Sequence, residues 1–414
     1  MSSNCRKIST CRVGGGRSLI SILDLGIQAL TGVFPGSPSE QVAEAPLELV
    51  WNPDSGLVQL AHSFAASEMF GDHYGYRSGL NQSMVDHLNA KVAYLERLVQ
   101  PRAGEVIVDI GSNDATTLKA YRSPGLRRLG IDPTAAKFRD FYPADVQLIP
   151  DFFSRDAYVS VFPHTKARIV TSIAMFYDLE DPIEFARQIE SILAEDGVWH
   201  LEQSYLPAML RATSYDTVCH EHLEYYSLHV IQKIMDVAGL KVIDVAQNDI
   251  NGGSFAITVA RRSNQSLPVN QAVIRWMLDQ EIQMGLHTPR PYREFEERVF
   301  RHRDDLRRLI QGLSDAGKTV LGYGASTKGN VVLQFCGFTA ADIPAIAEVN
   351  IEKFSRVTPG SHIPIISEAD AEAMQPDYYL VLPWHFREGI IRRESAFRQR
   401  GGKLIFPFPD IQII

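Results

Sequence analysis

From Gly104 onward, short apolar runs alternate with amphipathic stretches, the pattern of a parallel sheet flanked by helices. The runs 105–110 (EVIVDI), 128–131, 146–149, 168–172 and 197–201 read as five buried strands. Ile183, Ala186, Ile189, Ile192 and Leu193 recur at helical spacing behind Pro182, which predicts a helix over 182–194. A second helix, 227–238, is closed by Gly239. Ahead of the first strand, Met84, Val85, Leu88, Val92, Leu95 and Val99 line one helix face. The runs 241–245 and 255–260 are joined only by QNDINGGS, too short for a crossover helix, so they should pair antiparallel.

Beyond this body, a linker with Pro268, Pro289 and Pro291 leads into a charged helix, 292–313, and a second alternating region begins. KTVLGYGASTKGN reads as strand, glycine turn and helix start, and AIAEV, YYLVLPW and KLIFPF supply further strands of a smaller α/β domain. At 414 residues the chain exceeds what one core usually serves, and three domains are expected: 1–68, 69–265 and 266–414. A net charge of -8 gives no general field for a phosphate backbone, which argues against nucleic acid as a partner. No run approaches the ~20 apolar residues that span a bilayer, and MSSNCRKIST lacks an apolar signal core, so no membrane partner and a cytoplasmic location are expected. The four cysteines, 5, 11, 219 and 336, are too scattered for a disulfide framework.

Three places carry candidate chemistry. Asp109-Ile-Gly-Ser-Asn-Asp-Ala115 follows the first strand, where small residues let the backbone turn towards a ligand, and Asp132 follows the second, where a carboxylate can hold a ribose diol. Five parallel strands followed by a hairpin with a reversed last strand are the layout of the common methyltransferase fold, which favours S-adenosylmethionine over a dinucleotide; the alternative is a tight turn that binds nothing. Tyr215-Asp-Thr-Val-Cys-His-Glu-His-Leu-Glu-Tyr-Tyr226 concentrates titratable groups after the fifth strand, where proton transfer is often sited. Its alternatives are a zinc set of Cys219, His220 and His222, and a capping loop with buried tyrosines. Gly322-Tyr-Gly-Ala-Ser-Thr-Lys328 presents N–H groups and a lysine at a helix start, either an anion site or packing glycines. Near the N-terminus, Cys11-Arg-Val-Gly14 and Asn52-Pro-Asp-Ser55 have zinc-knuckle spacing but a single thiol.

The chain resembles, end to end, the three-domain sugar-nucleotide C-methyltransferases of deoxysugar pathways, which methylate C-3 of dTDP-4-keto sugars. VDIGSNDATTL, CHEHLEYYSL, NDINGGSF, GYGASTKGN, PGSHIPI, LVLPWHF and GGKLIFPFP carry the resemblance, in order. It implies a small N-terminal zinc-binding-like domain, a class I S-adenosylmethionine domain and a C-terminal Rossmann-like domain, with a nucleotide sugar between the last two. It further implies His222 as general base with Glu221 orienting it, His220 as its rival, and Tyr76, Tyr225 and Tyr226 as donors to an enolate oxygen. Cys219 stands where some relatives place a tyrosine two positions before the Glu. The expected cofactor contacts are Asp109, Gly111, Asn113, Asp132, Pro133, Asp151, Phe152 and Ala174. Those to the nucleotide sugar are Tyr323, Gly324, Ser326, Lys328 and Asn330. Loss of the knuckle thiols implies no zinc, and a monomer or weak homodimer is expected. Methylation of oxygen or nitrogen on the same fold, and a non-catalytic nucleotide-binding protein, are the competing readings.

Overall fold

The structure, a computed structural model, describes residues 5–64 and 77–414. Its largest sheet has seven strands in the order Leu240–Asn248, Ser254–Arg261, Leu193–Ser204, Ala167–Ile173, Val106–Ile110, Arg127–Ile131, Val146–Ile149. Ser254–Arg261 runs antiparallel to both neighbours and the other pairs are parallel, which is the class I methyltransferase arrangement. All five residues of Val106–Ile110 are buried, as a strand covered on both faces requires.

Helix Gln82–Val99 starts at Asn81, whose side chain accepts the Ser83 N–H, and buries Met84, Leu88, Val92, Leu95 and Val99. Val85 falls off that stripe and is only half-buried. The helix is pinned to the sheet by charge. Glu202 accepts hydrogen bonds from His87 Nε2 (2.6 Å) and Asn248 Nδ2 (2.6 Å) and pairs with Lys91. Burial alone would raise the pKa of Glu202, but the His87 bond and the Lys91 charge prevail and hold it at about 2.

Several elements escaped the sequence pattern, among them the N-terminal strands and two elements further along the chain. Helix Gln271–Met284 lies in the stretch read as linker, because few of its residues are apolar and inward; Ile274 and Met277 join the core of the central sheet. Strand Ile365–Ser367 is three residues long, too short for an alternation signal. It edges a C-terminal sheet in the order Ile365–Ser367, Ile346–Glu348, Val320–Tyr323, Tyr378–Val381, Lys403–Phe406, Gln412–Ile413. Its strands are parallel except the last. Among the described residues no helix is long and apolar enough to cross a membrane.

The N-terminal sheet is antiparallel: Ile20–Ala29, Glu44–Trp51 and Val58–Leu60, then Glu224–Tyr225. That fourth strand comes from the loop after the fifth strand of the central sheet, with Glu224 opposite Gln59 and Tyr225 opposite Val58. Leu60 N–H also donates to Leu223 O (2.8 Å). One apolar core then runs from this sheet through residues 206–225 and helix Arg290–Asp315 into the C-terminal sheet.

Beside the added strand, the buried Arg12 guanidinium donates to Leu60 O (3.1 Å) and Ser63 Oγ (2.7 Å) and lies 3.5 Å from Glu224 Oε1. Burial drives the Glu224 pKa up, and Arg12 is what opposes it. Removing one member of a buried ion pair costs about 3–5 kcal/mol. Arg12→Met should therefore lower stability by roughly that much in urea unfolding, and adding Glu224→Leu should recover most of it. A loss below about 1 kcal/mol in the single variant would show the pair to be dispensable.

Candidate active site

Strand Val106–Ile110 runs into a turn whose backbone enters the left-handed region at Gly111, Asn113 and Ala115. At Gly111 (φ +73°) a Cβ would also stand 3.2 Å from Met175 Cγ, so glycine is needed for conformation and for space. Asp109 is buried and accepts the Thr171 hydroxyl (2.5 Å). Burial lifts its pKa to about 7 against the hydrogen bonds of Thr171 and Thr117.

Asp132 is more heavily engaged than a free ribose ligand. Its Oδ1 accepts Thr134 N–H (2.6 Å) and Thr134 Oγ1 (2.7 Å), and its Oδ2 accepts Asn113 N–H (2.7 Å). It thereby caps the helical segment Pro133–Phe141, with Pro133 at the first position, and ties the glycine turn to the second strand. A carboxylate has about four acceptor positions, so three donors leave about one for a ribose hydroxyl, too few for a grip on both hydroxyls of a diol.

Asp151 and Phe152 follow the third strand. The Asp151 carboxylate accepts Phe152 N–H (2.7 Å), and the Phe152 ring is 48% exposed, an apolar face open to a planar base. Ala174 (φ +55°) follows the fourth strand and donates its N–H to Glu202 O (2.7 Å). All eight expected cofactor positions thus lie at the carboxyl ends of consecutive strands, where open α/β sheets bind ligands. A glycine turn that a Cβ would fill, a carboxylate with spare capacity and an exposed ring fit S-adenosylmethionine.

A latch on this turn was missed in the sequence. Ser78 N–H donates to Asn113 Oδ1 (2.9 Å) and Gly79 N–H to Asp114 Oδ2 (3.0 Å), while the Arg77 guanidinium covers the Phe141 ring at 4.3 Å. Tyr76, the residue before it, lies outside the described residues.

In the loop after the fifth strand the two histidines face opposite ways. His220 is fully buried, with Nε2 at 3.3 Å from Ala45 O and its ring edge-on to Phe64, so it belongs to the N-terminal core. Burial lowers its pKa to about 4. His222 is only partly buried and packs on Tyr177, with ring centroids 4.2 Å apart. Its Nδ1 lies 2.9 Å from Thr217 O. A carbonyl can only accept, so Nδ1 carries the hydrogen and the neutral ring keeps its lone pair on Nε2. Burial first, then the Lys328 charge, hold its pKa below the ordinary value.

The orienting group is therefore the Thr217 carbonyl, not Glu221. Glu221 turns to the N-terminal body: Thr31 Oγ1 donates to its Oε2 (3.5 Å), and burial raises its pKa. The other expected oxygen donors are also displaced. Tyr225 donates to the same Thr217 carbonyl (3.3 Å), and Tyr226 is packed on Phe176 (5.4 Å) in the central core. Cys219 is buried beside Glu221, which raises its pKa further after burial itself. With His220 and His222 on different carbonyls, these three residues do not converge on one ion.

Of the five C-terminal candidates, Lys328 is the one whose side chain crosses to the central body, beside this loop, where its charge acts on His222. Lys328 Nζ donates to Asn251 O (2.7 Å) in the edge hairpin. Tyr323 donates to Glu394 Oε1 (2.8 Å) inside the C-terminal core, and Asn330 Nδ2 donates to Thr31 O (2.7 Å) of the N-terminal body. Ser326 Oγ caps the helix Thr327–Phe335 by accepting Gly329 N–H (3.0 Å). Gly324 turns in the left-handed region against Pro383, and Glu348 Oε2 accepts the next amide of the turn, Ala325 N–H (2.8 Å). The protein's own carboxylate thus takes a donor that an anion would need.

Sequence reading missed the partner surface for this loop. Trp384 Nε1 donates to Asp216 Oδ2 (2.7 Å), and its ring lies where a Cβ on Gly252 would stand, 2.8 Å from Cζ2. His385 follows, its pKa lowered to about 3 by burial and then by Lys328. WHF was visible as a motif, but nothing local says that it folds against residues 216 and 252.

The two knuckle-like turns do meet. Cys11 Sγ lies 3.0 Å from Val13 O and 3.1 Å from Ser55 Oγ; Ser55 N–H donates to Asn52 Oδ1 (2.8 Å), and Asn52 Nδ2 donates to Ser18 O (2.8 Å). Hydrogen bonds join the two turns. One thiol, a hydroxyl, an amide and a glycine do not fit zinc. Among the described residues no group of three His, Cys, Asp or Glu could hold a metal ion.

Comparison with known proteins follows the same three-part division. A family model described as "Putative zinc binding domain" matches residues 11–70, one described as "Methyltransferase domain" matches 84–245, and one described as "C-methyltransferase C-terminal domain" matches 249–409. C-methyltransferase NovU of Streptomyces niveus is 32% identical over 412 residues, 99% of this chain and 97% of its own length. Among solved structures, an O-methyltransferase family protein from Burkholderia thailandensis is 20% identical, covering 47% of this chain and 62% of its own, with a TM-score of 0.36. The CcbJ methyltransferase from Streptomyces caelestis is 11% identical, covering 42% and 89%, with a TM-score of 0.32. On the full-length relative and the three family models in sequence along it, this chain belongs to the S-adenosylmethionine-dependent C-methyltransferases.

Proposed function

We propose that the protein methylates C-3 of a nucleotide-linked 4-keto-6-deoxysugar, with His222 as general base. The observation that carries this reading is the His222 tautomer: Nδ1–H is committed to Thr217 O, so Nε2 is the basic atom, on a ring that keeps some exposure. The C-terminal body meets this loop through Trp384, which bonds Asp216, and the adjoining edge hairpin through Lys328, which bonds Asn251 O. The 4-keto group acidifies the neighbouring C–H. The C-3–H bond breaks, the proton moves to Nε2, and the electron pair passes onto the C-4 oxygen. S-adenosylmethionine, when bound, supplies an electrophilic methyl group. The chain's part is to hold the carbon, take the proton and exclude water. A similarity to NovU supports the carbon acceptor over oxygen or nitrogen.

Incubation with dTDP-, GDP- and CDP-linked 4-keto-6-deoxysugars, read by mass spectrometry, tests the substrate class. His222→Asn should lower kcat by about 10²–10⁴ while leaving cofactor affinity near wild type. It should also abolish exchange of the C-3 proton with deuterated solvent when ketosugar and demethylated cofactor are supplied. Near-normal turnover in that variant would sink the assignment. Asp132→Ala should weaken S-adenosylmethionine binding at least about tenfold by calorimetry, since a charge-assisted hydrogen bond contributes about 1.5–3 kcal/mol and the Asn113 tether goes with it. Unchanged affinity would assign the ribose to another group. We also propose that the N-terminal body works without zinc, because a Cys11, Ser55 and Asn52 network stands at the knuckle turns. Elemental analysis should find none; one zinc per chain, retained through mild chelation, would overturn this.

A further inference from the structure

Lys328 is placed by its own helix start but used across a domain boundary. Ser326 caps the helix Thr327–Phe335, and Gly329 lets it lie against Leu382, where a Cβ would be 2.7 Å from that side chain. The lysine therefore leaves the C-terminal body and crosses to the hairpin, where Nζ meets Asn251 O at 2.7 Å. An ammonium has three donors. Among the described residues that carbonyl is its one hydrogen-bond partner, and no carboxylate lies within ion-pair distance. Charges withdrawn from water are normally paired, so a partly buried lysine with unused donors lacks an anion.

We propose that Lys328 is a catalytic residue that holds the C-4 oxygen as negative charge develops on it. The inference rests on the function proposed above. Proton removal by His222 leaves an electron pair on oxygen, and a fixed cation there stabilises that charge without a proton moving from the lysine. Tyr225 and Tyr226, the expected donors, are turned to Thr217 O and into the central core. The groups around Lys328 and His222 are Asp216, Cys219, His385 and Tyr177, with Glu221 and Asp178 behind Cys219. Asp216 is already held by Trp384, and Cys219, Glu221 and Asp178 are all pushed towards their neutral forms by burial. The lysine's field also lowers His222 basicity while the site is empty. As the oxygen becomes negative it neutralises that field, so base strength returns at the step that needs it.

The test compares Lys328→Met and Lys328→Arg with wild type, using a dTDP-linked 4-keto-6-deoxysugar. Lys328→Met should lower kcat and C-3 deuterium exchange together by about 10²–10³, with S-adenosylmethionine affinity unchanged, and Lys328→Arg should recover part of both. Removing the cation raises the His222 pKa, so the acidic limb of kcat/KM, which requires neutral His222, should move to higher pH. A structural bridge to Asn251 would lower the melting temperature without moving that limb. A rise in KM with normal kcat and exchange would make Lys328 a binding contact and overturn the proposal. If Lys328→Met does not fold, Lys328→Gln still donates to Asn251 without charge and carries the same comparison. Absence of exchange in wild type would instead refute the underlying function, and exchange retained in Lys328→Met would refute only the role of the lysine.

Discussion

The pairing of Glu224–Tyr225 with Val58 and Gln59 is the constraint on which the site depends. A loop following a strand of an open α/β sheet would ordinarily be free at its tip. Here its downstream half is a strand of another domain's sheet, its apolar residues share that sheet's core, and Arg12 meets the Glu224 carboxylate from the side. With both halves anchored, Thr217 O and His222 Nδ1 are held at hydrogen-bond distance, and the ring tautomer follows. The N-terminal body thus fixes the position of this loop.

That role bears on the zinc-free N-terminal body proposed above. Zinc in such a turn is a cross-link between two hairpins. Here the contact of Cys11 Sγ with Ser55 Oγ and the bond from Asn52 Nδ2 to Ser18 O join the two turns, each weaker than a metal bond. The difference is offset by the burial of Leu23, Leu47, Leu49 and Trp51 in a core that extends through helix Arg290–Asp315 to the C-terminal sheet. A domain stabilised by its neighbours needs less internal cross-linking.

The C-terminal body closes the third side. Its glycine turn looks like a dinucleotide site in isolation, but Glu348 fills an amide there and Tyr323 faces inward. What reaches the loop comes from the helix start and from Trp384, against a hairpin whose Gly252 leaves room for the indole. The site is therefore composite, and no one domain contains it.

The sequence by itself determined the local structure. Periodicity placed the five parallel strands and the reversed hairpin, because a strand buried on both faces is continuously apolar and so short a link admits no crossover. Residue type marked the turn at Gly111 and the carboxylate at Asp132, but the cap that Asp132 forms on Pro133–Phe141 was seen only in the structure. Helix Gln271–Met284 was illegible because its few inward residues include Glu281, a carboxylate buried by bonds to Leu228 N–H, His229 N–H and Tyr205 OH. Only the tertiary structure decided which way each histidine faces: His220 and His222 differ by two positions and have the same chemistry. One faces Ala45 and the other Thr217 because the strand between the two bodies sets the direction of each side chain. Likewise Tyr225, Tyr226, Tyr323 and Asn330 had suitable functional groups, and packing turned each one elsewhere. Residue type supplies a donor or a base, but its direction is set by contacts far away in sequence.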